Sequence, residues 1–496
     1  MGWNWAGTIV QVALGLVMAP FLISRLGDDM YGLWILMLSI TESLGLLDLG
    51  VRSSVGRQLA FNRSKGDTRA ANAVLNSALV VTLIVGFAVC IASVVLAYWF
   101  PTTSIQHAAP TDSTRRAMVL VGLSFAAYSI GSVFDGTLWA LQRFDTLNFV
   151  DIPIQLLRAA MMYLVVDHGY GIDALAVTAL VSNALTGIAK AVLGLRLDPN
   201  LEVAFSYFSW NDLRGLFGYG SWNLATTLGA KLKTSIAPAI ITSSVGVALI
   251  TPYWVAIRLV AYAALAMQAS TGVLTPIATA LDAQQRHGHL QRLIVEGGKF
   301  CALLALFLTM WVILAGYYFI ALWTGPRLAE SSIFATILVI GEFLPMSQLA
   351  GQSVILATAK HRVMAYWSIG EGLIGAALGV LLMRPMGIAG LCLGMAIAAF
   401  VSRGVAILVY SCRQNNVSIA EYMSSALIPP MGMAILPTLG LWMLIRVHPP
   451  DTWLRLISYS ALFAVMFAIS SLPLWHRLVR GKSHALHARF RGAFGA

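Results

Sequence analysis

Fourteen apolar windows, each of about 20 residues, leave this chain little choice of fold. They lie at 3–23, 31–50, 74–99, 117–140, 149–166, 172–195, 216–242, 250–275, 301–323, 332–357, 363–383, 386–410, 425–446 and 454–475. A stretch this long and apolar is at home in lipid, and lipid offers no partner to an exposed peptide group. Each window must therefore close its own hydrogen bonds as a helix. Only 11% of the 496 residues are charged, against about 25% in a soluble protein. The expected fold is an all-α integral membrane protein of about 14 transmembrane helices.

The chain carries an internal echo. GVRSSVGRQLAFNRSKGD from Gly50 resembles GVLTPIATALDAQQRHGH from Gly272, which pairs Gly66 with Gly288. The turn at Gly27, with Tyr31 and Trp34, has a looser partner in Gly246, Tyr253 and Trp254. GYGIDALA around Gly171 resembles PMGIAGLC around Gly387. One duplicated unit of roughly 200 residues accounts for all three, and such repeats are typical of transporters. The last two windows lie outside the repeat. Between the sixth and seventh windows, SWND from Ser209 has the form of a helix cap. Phe205, Phe208 and Trp210 beside it suggest a short interfacial helix.

Charge sets an expected orientation. With the first residues inside, nineteen lysines and arginines fall in inner loops and seven in outer loops, which places both termini in the cytoplasm. The net charge of +11 fits basic loops facing anionic lipid rather than nucleic acid. The four cysteines have no metal or disulfide spacing. No loop has room for a soluble catalytic domain, which argues against a membrane-bound glycan polymerase or glycosyltransferase.

Six basic residues remain inside the windows: Arg158, Lys190, Lys231, Lys233, Arg258 and Arg403. Each costs about 2.5–3.5 kcal/mol at mid-bilayer on the lenient insertion scale. Such residues must line water, pair with acids or snorkel. Helical spacing sorts them. Asn223, Thr227, Lys231 and Thr234 form one stripe on the seventh span, and Lys233 lies about 200° away from Lys231. Arg258 and Tyr262 share a face of the eighth span, and Asp151, Gln155 and Arg158 one of the fifth. Glu342, Pro345, Gln348 and Gln352 share one of the tenth, and Asn4, Thr8, Gln11 and Gly15 one of the first. Such stripes can converge on a wet cavity.

Plainer readings compete. Asp48 and Arg52 have the spacing of an ordinary helical ion pair. Lys190, near a span end, is expected to snorkel. Arg403 is expected either to face cargo or to pair with an intramembrane acid such as Glu371. Asp28 and Asp29 are expected in a solvated turn that caps the second helix. His476, His484 and His487 read as surface charge in a basic tail.

The run RLGDDMYGLW from Arg25, then LDLG with a basic stretch ending KGD, resembles the Wzx-type polysaccharide flippases over essentially the whole chain. These belong to the multidrug/oligosaccharidyl-lipid/polysaccharide (MOP) transporter superfamily. The resemblance implies a MATE/MOP-like fold of two pseudo-twofold-related six-helix lobes plus two C-terminal helices. The lobes would be 1–196 and 216–412, joined by an interfacial linker helix at 197–215, with two extra helices and a basic tail at 413–496. The implied cargo is an oligosaccharide on undecaprenyl pyrophosphate, flipped outward across the bacterial cytoplasmic (inner) membrane by alternating access. The protein would not be an enzyme and would need no cofactor. It would work near a polysaccharide polymerase and glycosyltransferases. The related lipid II flippases place arginines in their first, second and eighth helices, and Arg25, Arg52 and Arg258 are the loose matches.

The chemistry suits that cargo, since arginine grips phosphate oxygens in bidentate fashion. Candidate substrate-binding residues are Arg52, Lys231 and Arg258 for the diphosphate, with Arg158 and Arg403 ranked behind them, and Asn223 and Tyr262. The competing reading is a cation or drug antiporter of the multidrug branch, which needs membrane acids for ion coupling. Glu42, Asp48, Asp135, Asp151, Glu342 and Glu371 are available, with Asp48, Asp151, Glu342 and Glu371 as the coupling-ion candidates.

Overall fold

The computed structural model describes residues 2–44, 51–99, 111–210, 229, 236–358 and 361–493. Side chains at 2–6, 8, 42–44, 51–54, 99, 111, 361 and 474–493 lie outside that description. Among the described residues all regular structure is helical. Ten helices are long and apolar enough to cross a membrane, or eleven if the bent pair Ser331–Ser347 and Leu349–Ala357 is one span. The chain is a multi-pass membrane protein.

Among the described residues the count is lower than the expected fourteen, and two glycines explain much of the difference. Helix α1 (Gly2–Leu44) is one run broken only at Gly27 (φ 77°, ψ 171°). Two predicted spans meet there. Helix α13 (His361–Ala399) is likewise broken only at Gly387 (φ 59°, ψ −143°). Most of the predicted seventh span lies outside the described residues, and its end is α7 (Ile236–Val245).

The remaining helices are α2 (Val51–Ser64), α3 (Thr68–Trp99), α4 (Thr111–Ala140), α5 (Phe144–Asp167), α6 (Ile172–Leu197), α8 (Ile250–Thr271), α9 (Leu274–Ala283) and α10 (His287–Thr324). Then come α11 (Ser331–Ser347), α12 (Leu349–Ala357), a π-helix at Phe400–Ala406 and α14 (Ile407–Gln414). The chain ends in α15 (Ile419–Tyr422), a second π-helix at Met423–Leu427, α16 (Ile428–Val447) and α17 (Trp453–Ala493). The chain divides into two compact units. One holds residues 1–254 with 361–395, the other 255–360 with 396–496.

Backbone geometry repeats along the chain. From Gly27 to Gly246 is 219 residues, and both adopt a conformation open essentially only to glycine, with φ 77° and ψ 171° in one, φ 103° and ψ 165° in the other. From Gly66 to Gln285 is again 219. At Gly66 (φ 73°) the Asp67 N–H donates to Asn62 O at 3.1 Å, and at Gln285 (φ 51°) the Arg286 N–H donates to Leu281 O at 3.0 Å. Both are helix ends closed by a left-handed residue. The duplication is thus visible in the backbone, but the sequence match of Gly66 with Gly288 is three residues out of register.

The two related turns pack on each other inside the first unit. Thr251 Oγ1 donates to the Asp28 carbonyl at 2.8 Å. Tyr31 meets Trp254 edge to face at 5.3 Å between centroids. The expected solvated turn at Asp28 and Asp29 is therefore half occupied by protein.

The stretch after α6 is strapped to α3. Asn72 Nδ2 donates to Asn200 O at 3.0 Å while Asn72 Oδ1 accepts from Glu202 N at 2.9 Å. Asn76 Nδ2 donates to Glu202 O at 2.7 Å, and Asn76 Oδ1 accepts from Ala204 N at 2.9 Å. Each buried amide thus pairs with the linker backbone as a neighbouring strand would. Phe205 to Tyr207 is a single 3-10 turn. The rings of Phe205 and Phe208 stack at 5.7 Å, with Trp210 edge-on to Phe208. The rest of the SWND pattern lies outside the described residues.

Candidate functional site

Cations at membrane depth are the feature that needs explaining, and local packing decides what each can do. Helices α4 and α6 approach until backbone meets backbone: a Cβ on Gly131 would lie 2.6 Å from Gly187 Cα. Asp135 stands four residues after Gly131, and Lys190 three after Gly187, so both project from the same seam. Lys190 Nζ lies 2.5 Å from Asp135 Oδ1 and 2.7 Å from Asp151 Oδ1 of α5. Lys190 and Asp135 are buried, while the Asp151 side chain is 34% exposed.

Lys190 therefore does not snorkel. Burial costs a charge heavily unless it is paired, and two carboxylates sit within reach on neighbouring helices. Sequence reasoning missed this arrangement. Its one visible signal was a glycine one turn before each of two charges, on spans four and six.

Arg158 follows Asp151 by seven residues on the same face of α5. It is half-buried, and among the described residues it has no hydrogen-bond or ion-pair partner. Phe21 and Tyr163 stack at 4.8 Å between α1 and α5, fixing the helix one turn beyond it. Arg25 is engaged at the helix end, 2.9 Å from Asp167. It clamps α1 to α5, which gives it a role independent of cargo.

In the second unit Arg403 Nη2 is 2.5 Å from Glu342 Oε1. Glu342 of α11 is thus an acid partner of Arg403. Glu371 lies buried in α13 with an interaction of its own. The bend between α11 and α12 falls at Gln348, whose Nε2 donates to the carbonyls of Arg403 and Gly404 in the π-helix. Gln352 Nε2 donates to Pro345 O at 3.2 Å. The polar stripe of the tenth span is thus largely consumed by helix packing. Tyr422 completes the bend, its hydroxyl donating to Ser347 O at 3.2 Å.

Arg258 is exposed on α8 and has an interaction of its own. Tyr262, one turn on, is half-buried with its ring edge-on to Trp323 at 6.2 Å. Asn223, Lys231, Lys233 and Asp48 lie outside the described residues, as do the side chains of Arg52 and Glu42. The structure thus brings Asp135, Asp151 and Lys190 together in one unit, with Arg158 two turns further along α5. It brings Glu342, Arg403 and Gln348 together in the other.

Comparison with known proteins agrees with this architecture. Residues 26–332 match the family model described as polysaccharide biosynthesis protein. No curated protein sequence matches the chain. Among solved structures, an inward-facing multidrug resistance MATE family transporter of the MOP superfamily superposes with a TM-score of 0.71. Identity is 14%, over 85% of this chain and 96% of that one. An outward-facing multidrug resistance MATE transporter gives 0.60 at 14% identity, over 83% and 93%. A MOP superfamily transporter from Pyrococcus furiosus gives 0.61 at 14% identity, over 83% and 93%. That protein is described as having a binding pocket of reversed polarity that suggests a different function. The fold is MATE-like.

Proposed function

The chain belongs to the polysaccharide biosynthesis protein family, and from that premise we propose that it flips an undecaprenyl-pyrophosphate-linked oligosaccharide across the bacterial cytoplasmic membrane. The observation that carries this reading is Arg158. Lys190 and Arg403 are neutralised by acids, whereas Arg158 has no such partner among the described residues. An arginine held half-buried at membrane depth without an acid calls for an anion, and a diphosphate supplies one in bidentate geometry. Arg52, Lys231 and Arg258 are the further candidates for the diphosphate, Asn223 and Tyr262 for the sugar. Arg403, tied to Glu342, is the weakest of the set.

In this reading each glycine-broken run counts as two spans, which carries the helix number toward fourteen. The halves 1–196 and 216–412 act as alternating-access lobes joined through 197–215, and the segment 413–496 adds the last two helices. Both termini face the cytoplasm. A polymerase and glycosyltransferases supply the context, and no cofactor is required. Asp151 and Glu342, with Asp48 and Glu371, are the groups available for ion coupling.

The test is accumulation of the lipid-linked glycan in a deletion strain, with its leaflet assigned by an impermeant probe. Accumulation in the cytoplasmic leaflet, relieved by wild type but not by Arg158→Gln, is the expected result. One observation favours a second reading, a cation or drug antiporter: two membrane carboxylates, Asp135 and Asp151, gather around Lys190 within a MATE-like fold. Unchanged surface glycan in the deletion strain, with resistance to toxic cations on overexpression, would favour that alternative.

A further inference from the structure

The strap on α3 fixes the level at which the stretch after α6 meets the membrane. Exposed large apolar side chains on α3 begin at Leu83 and run to Tyr98. Arg115 of α4 lies over the Tyr98 ring at 5.3 Å, a pairing of ring and cation suited to the membrane–water boundary. A hydrocarbon core about 30 Å thick takes up about 20 helical residues, which counted back from Tyr98 ends near Ala78. Asn72, Asn76 and Ser77 stand just beyond that point, at the level of lipid headgroups. The linker descends along them. Asn72 holds the Asn200 carbonyl, Asn76 holds the Ala204 N–H, and the Ser77 hydroxyl accepts from the Ser209 N–H at 3.1 Å.

Rings and cations are sorted along this stretch. Phe205 and Trp210 are 78% and 69% exposed, and Phe208 joins them, stacked on one ring and edge-on to the other. Arg69 stands on the α3 face that carries Asn72 and Asn76, at spacings of three and seven residues. Glu202, which accepts the Tyr207 hydroxyl, pushes that phenol up, and Arg69 is close enough to offset part of the rise. Lys65, two residues after Arg63, lies over the Phe61 ring at 4.2 Å. The nearby acids are engaged. Asp198 pairs with Arg63 at 3.2 Å, Glu202 accepts from Tyr207 at 2.9 Å, and Asp67 accepts from the Ala70 N–H at 2.9 Å. Lys65 and Arg69 are exposed, and among the described residues neither has an acid within ion-pair distance.

We propose that the stretch 198–210 and the adjoining end of α2 form a contact that selects anionic phospholipid. Phe205, Phe208 and Trp210 settle at the boundary between headgroups and acyl chains, where aromatic rings are at home. Lys65 and Arg69 take the phosphates of acidic lipids. A zwitterionic lipid carries a phosphate too, but beside a cation of its own, so two protein cations favour the acidic lipid. The asparagine strap presents the rings at the right depth, and the lipid then holds the linker from its other side. The contact is independent of the cargo and of the direction of transport.

The experiment is amide hydrogen exchange on the purified full chain in two kinds of nanodisc. One is phosphatidylcholine alone, and the other has one lipid in three replaced by phosphatidylglycerol. The N–H groups from Phe205 to Trp210 report the contact, and the Ala204 N–H, held by Asn76, reports the strap. Wild type is expected to exchange more slowly at 205–210 in the acidic discs, by up to about 25-fold, about fivefold for each cation near an anionic surface. Added salt should shrink the difference. Lys65→Gln combined with Arg69→Gln should abolish it while Ala204 exchanges as before. Phe205→Ser combined with Trp210→Ser should speed exchange at the remaining positions in both discs. Equal exchange of wild type in the two discs would overturn the proposal. So would a difference that survives the loss of both cations, or one that free inorganic phosphate reproduces in neutral discs. Protection that follows the number of copies per disc rather than lipid charge would assign the face to a second copy of the chain and overturn it as well.

Discussion

A Cβ placed on Gly32 would lie 2.3 Å from the carbonyl oxygen of Val247. The two residues belong to the repeated turns around Gly27 and Gly246, so the contact joins one copy of a motif to the other. The obstacle is backbone rather than a flexible side chain. Gly32→Ala must therefore push the turns apart and disturb the Thr251 bond to Asp28. We expect a loss of about 1–3 kcal/mol, the usual cost of overpacking. It would be read as a lower melting temperature of the purified protein. Gly66→Asn is the control, because its Cβ meets nothing within 4 Å and asparagine tolerates a left-handed φ.

Tyr422 fixes the bend between α11 and α12. Its hydroxyl donates to the Ser347 carbonyl, and both residues are buried. Tyr422→Phe keeps the ring and deprives that carbonyl of its donor. The expected cost is about 1–3 kcal/mol, seen as a lower melting temperature. Ser347→Ala, which leaves the carbonyl in place, should cost less. A larger effect from Ser347→Ala would assign the bend to the serine hydroxyl instead.

Fold class was legible because lipid imposes one solution on every long apolar stretch, and the windows report that requirement directly. The turns were legible because only glycine accepts the backbone at Gly27 and Gly246. Their register was less so: at Gln285 a non-glycine occupies the position that Gly66 holds in the first copy. The charge cluster was least visible. Arg158 was found from its stripe on one helix, but Lys190 acquires its meaning from Asp135 and Asp151 on two others. Spacing along one helix cannot show partners across a seam. The same limit left Arg403 with Glu371 as one example of an acid it could meet, where Glu342 lies within ion-pair distance.

Arg403 and Glu342 form the second unit's ion pair, with side chains 31% and 13% exposed. Arg403→Met should destabilise the protein by somewhat less than the about 3–5 kcal/mol typical of breaking a fully buried pair. The cause is Glu342, left charged without its partner. Glu342→Gln added to Arg403→Met removes that charge and should recover a large part of the loss. If the double variant melts no higher than Arg403→Met alone, Arg403 contributes through packing or its backbone position in the π-helix, not through the pair.

The strap on α3 predicts a local effect. Asn76 satisfies the Glu202 carbonyl and the Ala204 N–H with one side chain. Asn76→Ala leaves both to find water, and the stretch that carries Phe205 and Phe208 loses half of its asparagine anchors. Faster amide hydrogen exchange at Ala204 is expected, with exchange in the middle of α3 unchanged. Unchanged exchange at Ala204 would mean that Asn72, together with Ser77, whose hydroxyl accepts from the Ser209 N–H at 3.1 Å, suffices to hold the segment.

Arg158 and Lys190 should behave oppositely when each is replaced by methionine. Lys190→Met removes the cation from buried Asp135 and half-buried Asp151, and the sealed Asp135 cannot turn to water. The protein should lose about 3–5 kcal/mol, and glycan export should fall together with protein level. Arg158 has no acid to abandon among the described residues, and its charge is held at a depth where charge is costly. Arg158→Met should therefore melt at the wild-type temperature or above it while glycan export falls. A residue that lowers stability for the sake of an absent anion shows this signature, and a residue that only holds the fold together does not. Melting temperature and export measured side by side on the two variants decide between them. A lower melting temperature for Arg158→Met, with export reduced only in proportion to protein level, would make Arg158 a structural residue and remove the main support for an anionic cargo.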